Sequence, residues 1–371
     1  MVAFGTYDTL THPRAAVIMD GLRARGFDVE ECNSPLGLGT ASRVAALRKA
    51  RKVPAMAARI VSRWVSLLNR SKGMATADVV LVPYMGHFDV HLARVRFRST
   101  PIVLDHLISG RDTARDRGAT GPLRERLLGM IDQAAIRAAD VVIVDTDEHL
   151  ALIPASAQRK AVVVPVGATD AWVAPPRALY DGLRPMKVIF FGLFTPLQGA
   201  VIIGRALGLL ADRSDVEVTM VGEGQDLEMA KRQAAGNPSV RWHGMVPAAE
   251  LPALLAEHDV CLGIFGDNDK GRRVVPNKVY QGIRAGCAVL TSDTPPQRRV
   301  LGDAVAYVPA GNPEALAAAL TEMASSPQRV AELQKASLSL SDRFGPEAVV
   351  GPLVERLVQV GGVRVAAPAP G

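Results

Sequence analysis

The stretch Gly271-Arg272-Arg273-Val274-Val275-Pro276-Asn277-Lys278-Val279-Tyr280-Gln281-Gly282-Ile283-Arg284-Ala285-Gly286 sets a polar loop, a helix and a lysine beside a buried-strand pattern. A proline suits the first turn of a helix, where its missing N–H costs nothing, and the free N–H groups of that turn attract an anion such as phosphate. Lys278 adds a point charge at the same place. Gly286 reads as the helix cap, and Cys287-Ala288-Val289-Leu290-Thr291-Ser292-Asp293 as a short buried strand ending in a polar turn.

Helix followed by buried strand recurs in both directions. Short Val/Ile/Leu-rich runs at residues 2–4, 27–31, 78–82, 102–104, 140–144 and 161–166 form one series, and runs at 187–191, 216–221, 240–243, 259–264, 288–291 and 305–308 form a second. Such runs mark parallel strands covered on both faces. Helical patterns, for example at residues 201–211 and 314–324, lie between them. The Pro-rich segment around Pro175-Pro176-Arg177 separates the two series. The chain therefore reads as α/β: two Rossmann-like doubly wound domains, with ligand at the carboxyl ends of the strands. The expected boundaries are 1–175 for the first domain, 176–185 for a linker, 186–345 for the second domain, 346–360 for a final helix and 361–371 for a disordered tail.

Composition bounds the function. A length of 371 residues suits two domains, each large enough to bury a full core. Apolar residues at 48% and charged residues at 22% describe an ordinary globular chain. No apolar run reaches the roughly 18 residues of a membrane span, and the start Met1-Val2-Ala3-Phe4-Gly5 lacks a signal peptide's basic region and apolar core, so a cytoplasmic location is expected. Cys32, Cys261 and Cys287 are odd in number and unpatterned, which reads as reduced packing residues. His87 and His91 stand one helical turn apart with no evident third ligand, and Asp267-Asn268-Asp269 reads as a polar loop, so no metal is expected.

Taken in order, the motifs resemble those of family-4 (group 1) retaining glycosyltransferases of the GT-B fold, and the resemblance covers most of the chain. Phe190-Phe191-Gly192-Leu193-Phe194-Thr195-Pro196-Leu197-Gln198-Gly199 is similar to that family's strand and glycine turn, and Val218-Thr219-Met220-Val221-Gly222-Glu223-Gly224 to the next strand and turn. Val240-Arg241-Trp242-His243-Gly244-Met245-Val246-Pro247 is similar to the strand before a short helix. The resemblance implies the GT-B architecture, with the two domains facing a central cleft and the last helix crossing back to the first domain. It implies a metal-independent hexosyl transfer with retention, from a nucleoside-diphosphate sugar as co-substrate and with no cofactor.

The same resemblance implies the site. Gly192, Thr195, Gln198, Gly222, Val246, Arg273, Pro276, Asn277, Lys278 and Gln281 would bind the donor, and Lys278 would also stabilise the departing diphosphate. The bland reading of Lys278 is a solvated helix lysine. In the first domain, Pro101-Ile102-Val103-Leu104-Asp105-His106 is similar to the strand after which the family places a histidine facing the sugar. His106 is thus the second catalytic candidate, against a histidine satisfied by local backbone, with Thr6, Asp8 and Asp105 as acceptor contacts. The chain departs from the family at the two glutamates of the donor loop, where Arg273 and Gln281 stand, and at the basic residues of the first glycine turn, where Leu193, Thr195 or Gln198 stands. A GT-B protein that binds without catalysing, or a nucleotide-sugar 2-epimerase, is the alternative these departures leave open.

Charge supplies a separate clue. No acidic residue lies between Glu31 and Asp78, whereas Arg43, Arg48, Lys49, Arg51, Lys52, Arg59, Arg63, Arg70 and Lys72 are basic. Met56, Ile60, Trp64 and Leu67 or Leu68 form a helical stripe flanked by Arg59, Arg63 and Arg70, a layout suited to an anionic bilayer surface or to ordinary core packing. The first option favours a lipid-linked saccharide acceptor and peripheral placement at the inner membrane face; a polysaccharide or secondary metabolite is the other acceptor class. Nucleic acid is not expected, since no binding motif accompanies the patch.

Overall fold

The computed structural model describes residues 1–9, 12–37, 53–74, 76–107, 109–111, 121–234 and 236–361. Arg43, Arg48, Lys49, Arg51, Lys52 and the expected tail from 362 onward lie outside them. The chain forms two compact units, Met1–Pro165 with Pro346–Gly371, and Val166–Gly345.

The first unit runs β1 (Val2–Gly5), α1 (Pro13–Ala24), β2 (Glu30–Asn33), α2 (Val53–Arg70), β3 (Val80–Val82), α3 (Asp89–Arg96), β4 (Ile102–Asp105), α4 (Pro122–Ala138), β5 (Val141–Val144), α5 (Asp147–Leu152), α6 (Ala155–Gln158) and β6 (Ala161–Val163). The second runs β7 (Met186–Phe191), α7 (Ala200–Leu209), β8 (Val216–Val221), α8 (Leu227–Gln233), β9 (Val240–His243), α9 (Leu251–Ala256), β10 (Val260–Leu262), α10 (Asn277–Arg284), β11 (Ala288–Ser292), α11 (Pro295–Leu301), β12 (Ala306–Val308), α12 (Pro313–Ser325) and α13 (Pro327–Leu340). Then α14 (Pro346–Val349) and α15 (Gly351–Gly361) rejoin the first unit.

Both sheets have six strands, all paired in parallel. The first has the order β2-β1-β3-β4-β5-β6 and the second β12-β11-β10-β7-β8-β9. In each, the direction of winding reverses once, between β1 and β3 and between β10 and β7. Ligands of open parallel sheets bind beyond the carboxyl ends of strands at such a point. The hydrophobic runs make this topology possible: central strands such as Val141–Val144 and Ala288–Ser292 are buried at every position, so both faces must carry helices. The edge strand β9 alternates half-buried and exposed residues, with Arg241 and His243 outward.

In the first unit, Val80, Val82, Ile102, Leu104, Val142 and Val144 pack against Leu67 of α2, Val90 and Ala93 of α3 and Ala135 and Ile136 of α4. The opposite face sets Ala3, Leu81, Val103 and Ile143 against Ile18 and Leu22 of α1 and Leu353 and Leu357 of α15. The final segment, expected as one helix over 346–360, is two helices broken at Val350, whose side chain is buried with Val349 against Val17.

The boundary between units falls after Pro165, earlier than the expected 175, and residues 176–185 belong to the second unit. The reason is local packing. Trp172 stacks on Phe191 at 5.7 Å, Asp170 pairs with Arg284, the Ala168 N–H donates to the Phe344 carbonyl, and the Tyr180 N–H donates to Gln334 Oε1 at 2.9 Å. A proline-rich composition marks irregular backbone, and these side chains dock that backbone.

Candidate functional site

At the carboxyl end of β7 the chain turns at Gly192, with φ +132°, and at the end of neighbouring β8 it turns at Gly222, with φ +131°. A Cβ on Gly222 would sit 1.9 Å from the Gly192 carbonyl oxygen, so a side chain at Gly222 would displace the Gly192 turn. Gly192 also faces Lys278: a Cβ there would lie 3.4 Å from the lysine Nζ. The two halves of the expected donor site, far apart in sequence, therefore meet.

Lys278 is not a solvated helix lysine. It is 5% exposed, its Nζ lies 3.6 Å from the centre of the Phe190 ring, and that Nζ has no hydrogen-bond partner. Burial pushes its pKa down to about 7. A buried, unpaired ammonium is unfavourable by itself and becomes favourable when an anion arrives. The first N–H groups of α10, which have no partner within the helix, lie beside it in sequence. Pro276 is the N-cap of this helix, where its carbonyl accepts from the Val279 N–H, and not a residue of its first turn. The helix thus begins at Asn277, one residue later than the sequence suggests.

Thr195 and Gln281 are buried, and Gln198 Oε1 is buried without a partner. Val246 is half-buried, beyond the end of edge strand β9. Arg273 donates from Nε to the Asp269 carbonyl at 2.8 Å, which ties its guanidinium to its own loop. In the same loop Asp267 pairs with Arg272 and Asn268 Oδ1 accepts from the Gly271 N–H, a self-contained polar turn.

The carboxyl edge of the first sheet has different chemistry. His106 follows β4, is 7% exposed, and its Nδ1 has no hydrogen-bond partner. Its ring meets His87 edge-on at 5.2 Å. Burial first, then His87, push the His106 pKa down to about 3, so the ring is neutral at physiological pH. His87 Nε2 lies 3.2 Å from Asp132 Oδ1 on α4. Burial alone would raise the Asp132 carboxyl, but His87 beside it and the Gly110 N–H outweigh burial and hold it at about 2.

Two expected acceptor contacts are already engaged. Asp105 is fully buried, and both its oxygens accept from Arg14 Nε at 3.0 and 3.1 Å. Thr6 donates from its N–H and its hydroxyl to Asp89 Oδ2, at 2.7 and 2.8 Å, and is 5% exposed. Both residues hold strand ends in place. Asp8 is half-buried, and its carbonyl accepts from the His12 N–H.

Residues 185–326 match the family model of the glycosyl transferases group 1. The second unit belongs to that family. Phosphatidyl-myo-inositol mannosyltransferase of Mycolicibacterium smegmatis is 34% identical over 169 residues, which cover 43% of this chain and 42% of the relative. The match therefore spans about two fifths of the relative's length. Among solved structures, HepE of Anabaena in complex with UDP-glucose is similar over 97% of this chain and 98% of its own, with a TM-score of 0.66 at 12% identity. Sucrose-phosphate synthase from Thermosynechococcus elongatus is similar over 81% and 78%, with a TM-score of 0.62 at 14% identity. The overall architecture is GT-B, two Rossmann-like domains.

Within the group 1 domain, Lys278 and the Gly192 turn were legible because each sits in a local motif. His87 and Asp132 were not: His87 was paired by spacing with His91, which is exposed on α3, while Asp132 carries no motif. The sequence signal for His87 is its position beyond the end of a parallel strand, and Asp132, in the middle of α4, has none.

Proposed function

We propose that this chain is a retaining hexosyltransferase that moves a sugar from a nucleoside-diphosphate sugar to a lipid-linked saccharide. The observation that carries the reading is the buried, unpartnered Nζ of Lys278 against the Gly192 turn. As the glycosidic bond breaks, positive charge develops on the sugar ring and negative charge on the departing diphosphate. A lysine with its pKa near 7 takes up a proton when that anion binds and is held to it in a dry setting, where the attraction is strong. Gln281, in place of a glutamate, retains an oxygen that accepts from ribose hydroxyls. His106 in the first unit is the neutral partner for a sugar or acceptor hydroxyl. The chemistry requires no metal at the diphosphate, because lysine and helix N–H groups supply the positive potential.

The relative named phosphatidyl-myo-inositol mannosyltransferase supports a hexose donor and a lipid acceptor. A surface of the first unit supports the same choice. On α2, Trp64 donates to Asp89 Oδ1 at 2.9 Å and Leu67 is fully buried, so the stripe expected to meet lipid faces the core. A second stripe, Val61 and Val65, is more than half exposed. Neighbouring α3 exposes Val95, and α4 beside it exposes Leu123, Leu127 and Met130. Apolar side chains exposed on three adjacent helices, the first of which carries Arg59, Arg63 and Arg70, fit an anionic bilayer. No helix among the described residues is long and apolar enough to cross a membrane.

The test is a panel of nucleoside-diphosphate sugars scored by thermal stabilisation, then turnover of any stabilising donor. Stabilisation by a donor and by its nucleoside diphosphate, both lost in Lys278→Ala, is expected; a panel without effect contradicts the reading. For the surface, sedimentation with anionic vesicles at low salt is expected and should weaken in Leu123→Ser/Leu127→Ser. Failure of the wild type to sediment points to a small soluble acceptor.

A further inference from the structure

Three side chains of the first unit, unrelated in sequence, converge. His87 comes from the loop after β3, His106 from the loop after β4, and Asp132 from α4, and one ligand atom of each lies within 4.8 Å of the others. His87 Nε2 and Asp132 Oδ1 are 3.2 Å apart, close to the separation of two ligands on one tetrahedral ion, roughly 3.3 Å for bonds of about 2.0–2.1 Å. His106 Nδ1 is buried with no hydrogen-bond partner, and His87 Nε2 is buried with Asp132 as its one polar neighbour among the described residues. Leaving a buried imidazole nitrogen such as His106 Nδ1 unsatisfied is unfavourable, and it needs an explanation.

We propose that His87, His106 and Asp132 form a binding site for a divalent transition-metal ion, zinc foremost. Two imidazole nitrogens and one carboxylate oxygen suit zinc and disfavour magnesium and calcium, which take all-oxygen sets. Three protein ligands leave a fourth position open to water or a hydroxyl. The outer shell is in place: Asp132 Oδ2 accepts from the Ser109 hydroxyl at 2.8 Å and Oδ1 from the Gly110 N–H at 3.0 Å, which fixes the carboxylate. Coordination would give His106 Nδ1 the partner it lacks and draw His87 and Asp132 onto the same ion. Histidines nearby are excluded by the same geometry. His149 Nδ1 is taken by Asp145 at 2.5 Å, and His91 points to solvent from α3. The bound ion would fix the His106 ring through Nδ1. Resting on the function proposed above, that predicts slower transfer with added zinc, since His106 must adjust to sugar and acceptor.

The full-length protein, stripped with chelator and dialysed, is titrated calorimetrically with zinc chloride and separately with magnesium chloride, and cobalt binding is followed by visible absorption. The expected result is one zinc per chain, no magnesium heat, and the intense absorption of four-coordinate cobalt. His87→Ala and Asp132→Asn should each weaken zinc binding at least about tenfold, while His91→Ala leaves it unchanged. Asp132→Asn is nearly isosteric and decides the matter if His87→Ala does not fold, with circular dichroism as the check. Wild-type protein without stoichiometric zinc, or equal zinc affinity in wild type and Asp132→Asn, overturns the proposal. Both outcomes are independent of donor binding and so of the proposed transferase activity.

Discussion

The two units use one architectural rule for opposite chemistries. Each is a six-stranded parallel sheet with polar groups gathered beyond its carboxyl edge. In the second unit that edge carries glycine turns and a buried amine, Gly192, Gly222 and Lys278, with no acidic partner for the lysine among the described residues. In the first unit it carries imidazoles and carboxylates, His87, His106, Asp132 and the pair Asp145–His149. Backbone topology therefore decides where polar groups collect, and side-chain identity decides what they hold. In the function proposed above, one edge meets an anion, and the other offers lone pairs to a hydroxyl or a cation.

The sharpest way to break this division is to remove one group from each edge. His106→Ala should lower turnover by about a hundredfold and leave nucleoside-diphosphate affinity nearly intact, because the loss is confined to the edge that handles hydroxyls. Steady-state rates beside a calorimetric titration check this, and a matching loss of affinity would mean that the two edges are not separate in function. Next in size, Gly222→Ala should destabilise the second unit by about 3 kcal/mol, since a Cβ 1.9 Å from the Gly192 carbonyl displaces both turns. Chemical denaturation measures it. An unperturbed midpoint would show that the turns are not rigid.

An effect graded with pH follows from protonation. Lys278 has its pKa lowered from 10.5 to about 7 in the folded chain, so the unfolded state binds more protons between those values, and folding becomes more favourable as pH rises through that window. Below pH 7 both states are protonated and the penalty is complete. Relative to Lys278→Met, the wild type should gain at most about 1.4 kcal/mol per pH unit on going from pH 7 toward 10.5. Parallel denaturation curves for the two proteins that shift equally with pH would place the ammonium in solvent.

The fold was readable from residues because its determinants are local. Runs such as Val141-Val142-Ile143-Val144 admit little except a strand covered on both faces, and glycines at 192, 222 and 286 mark turns with positive φ. The place of Lys278 beside the strand ends was readable for the same reason, since Asn277-Lys278 stands at a helix start. Pairing across the fold was not. Thr6 and Asp105 are polar residues at strand ends, which is where ligand contacts occur, but whether such a residue is free depends on a partner 83 or 91 positions away. Asp89 and Arg14 had already claimed them. The stripe on α2 failed for a related reason: its apolar residues cover more than half the helix circumference, and periodicity alone does not say which part meets the sheet.

The central claim is that Lys278 is a buried amine that becomes charged when diphosphate arrives. Calorimetric titration with UDP and GDP at pH 8, repeated in buffers of different ionisation enthalpy, reads the protons taken up on binding. The account predicts uptake approaching one proton for whichever nucleotide binds, together with an affinity that falls roughly ten- to hundredfold in Lys278→Met and loses the proton uptake. Binding without proton uptake, at an affinity unchanged in Lys278→Met, would contradict it.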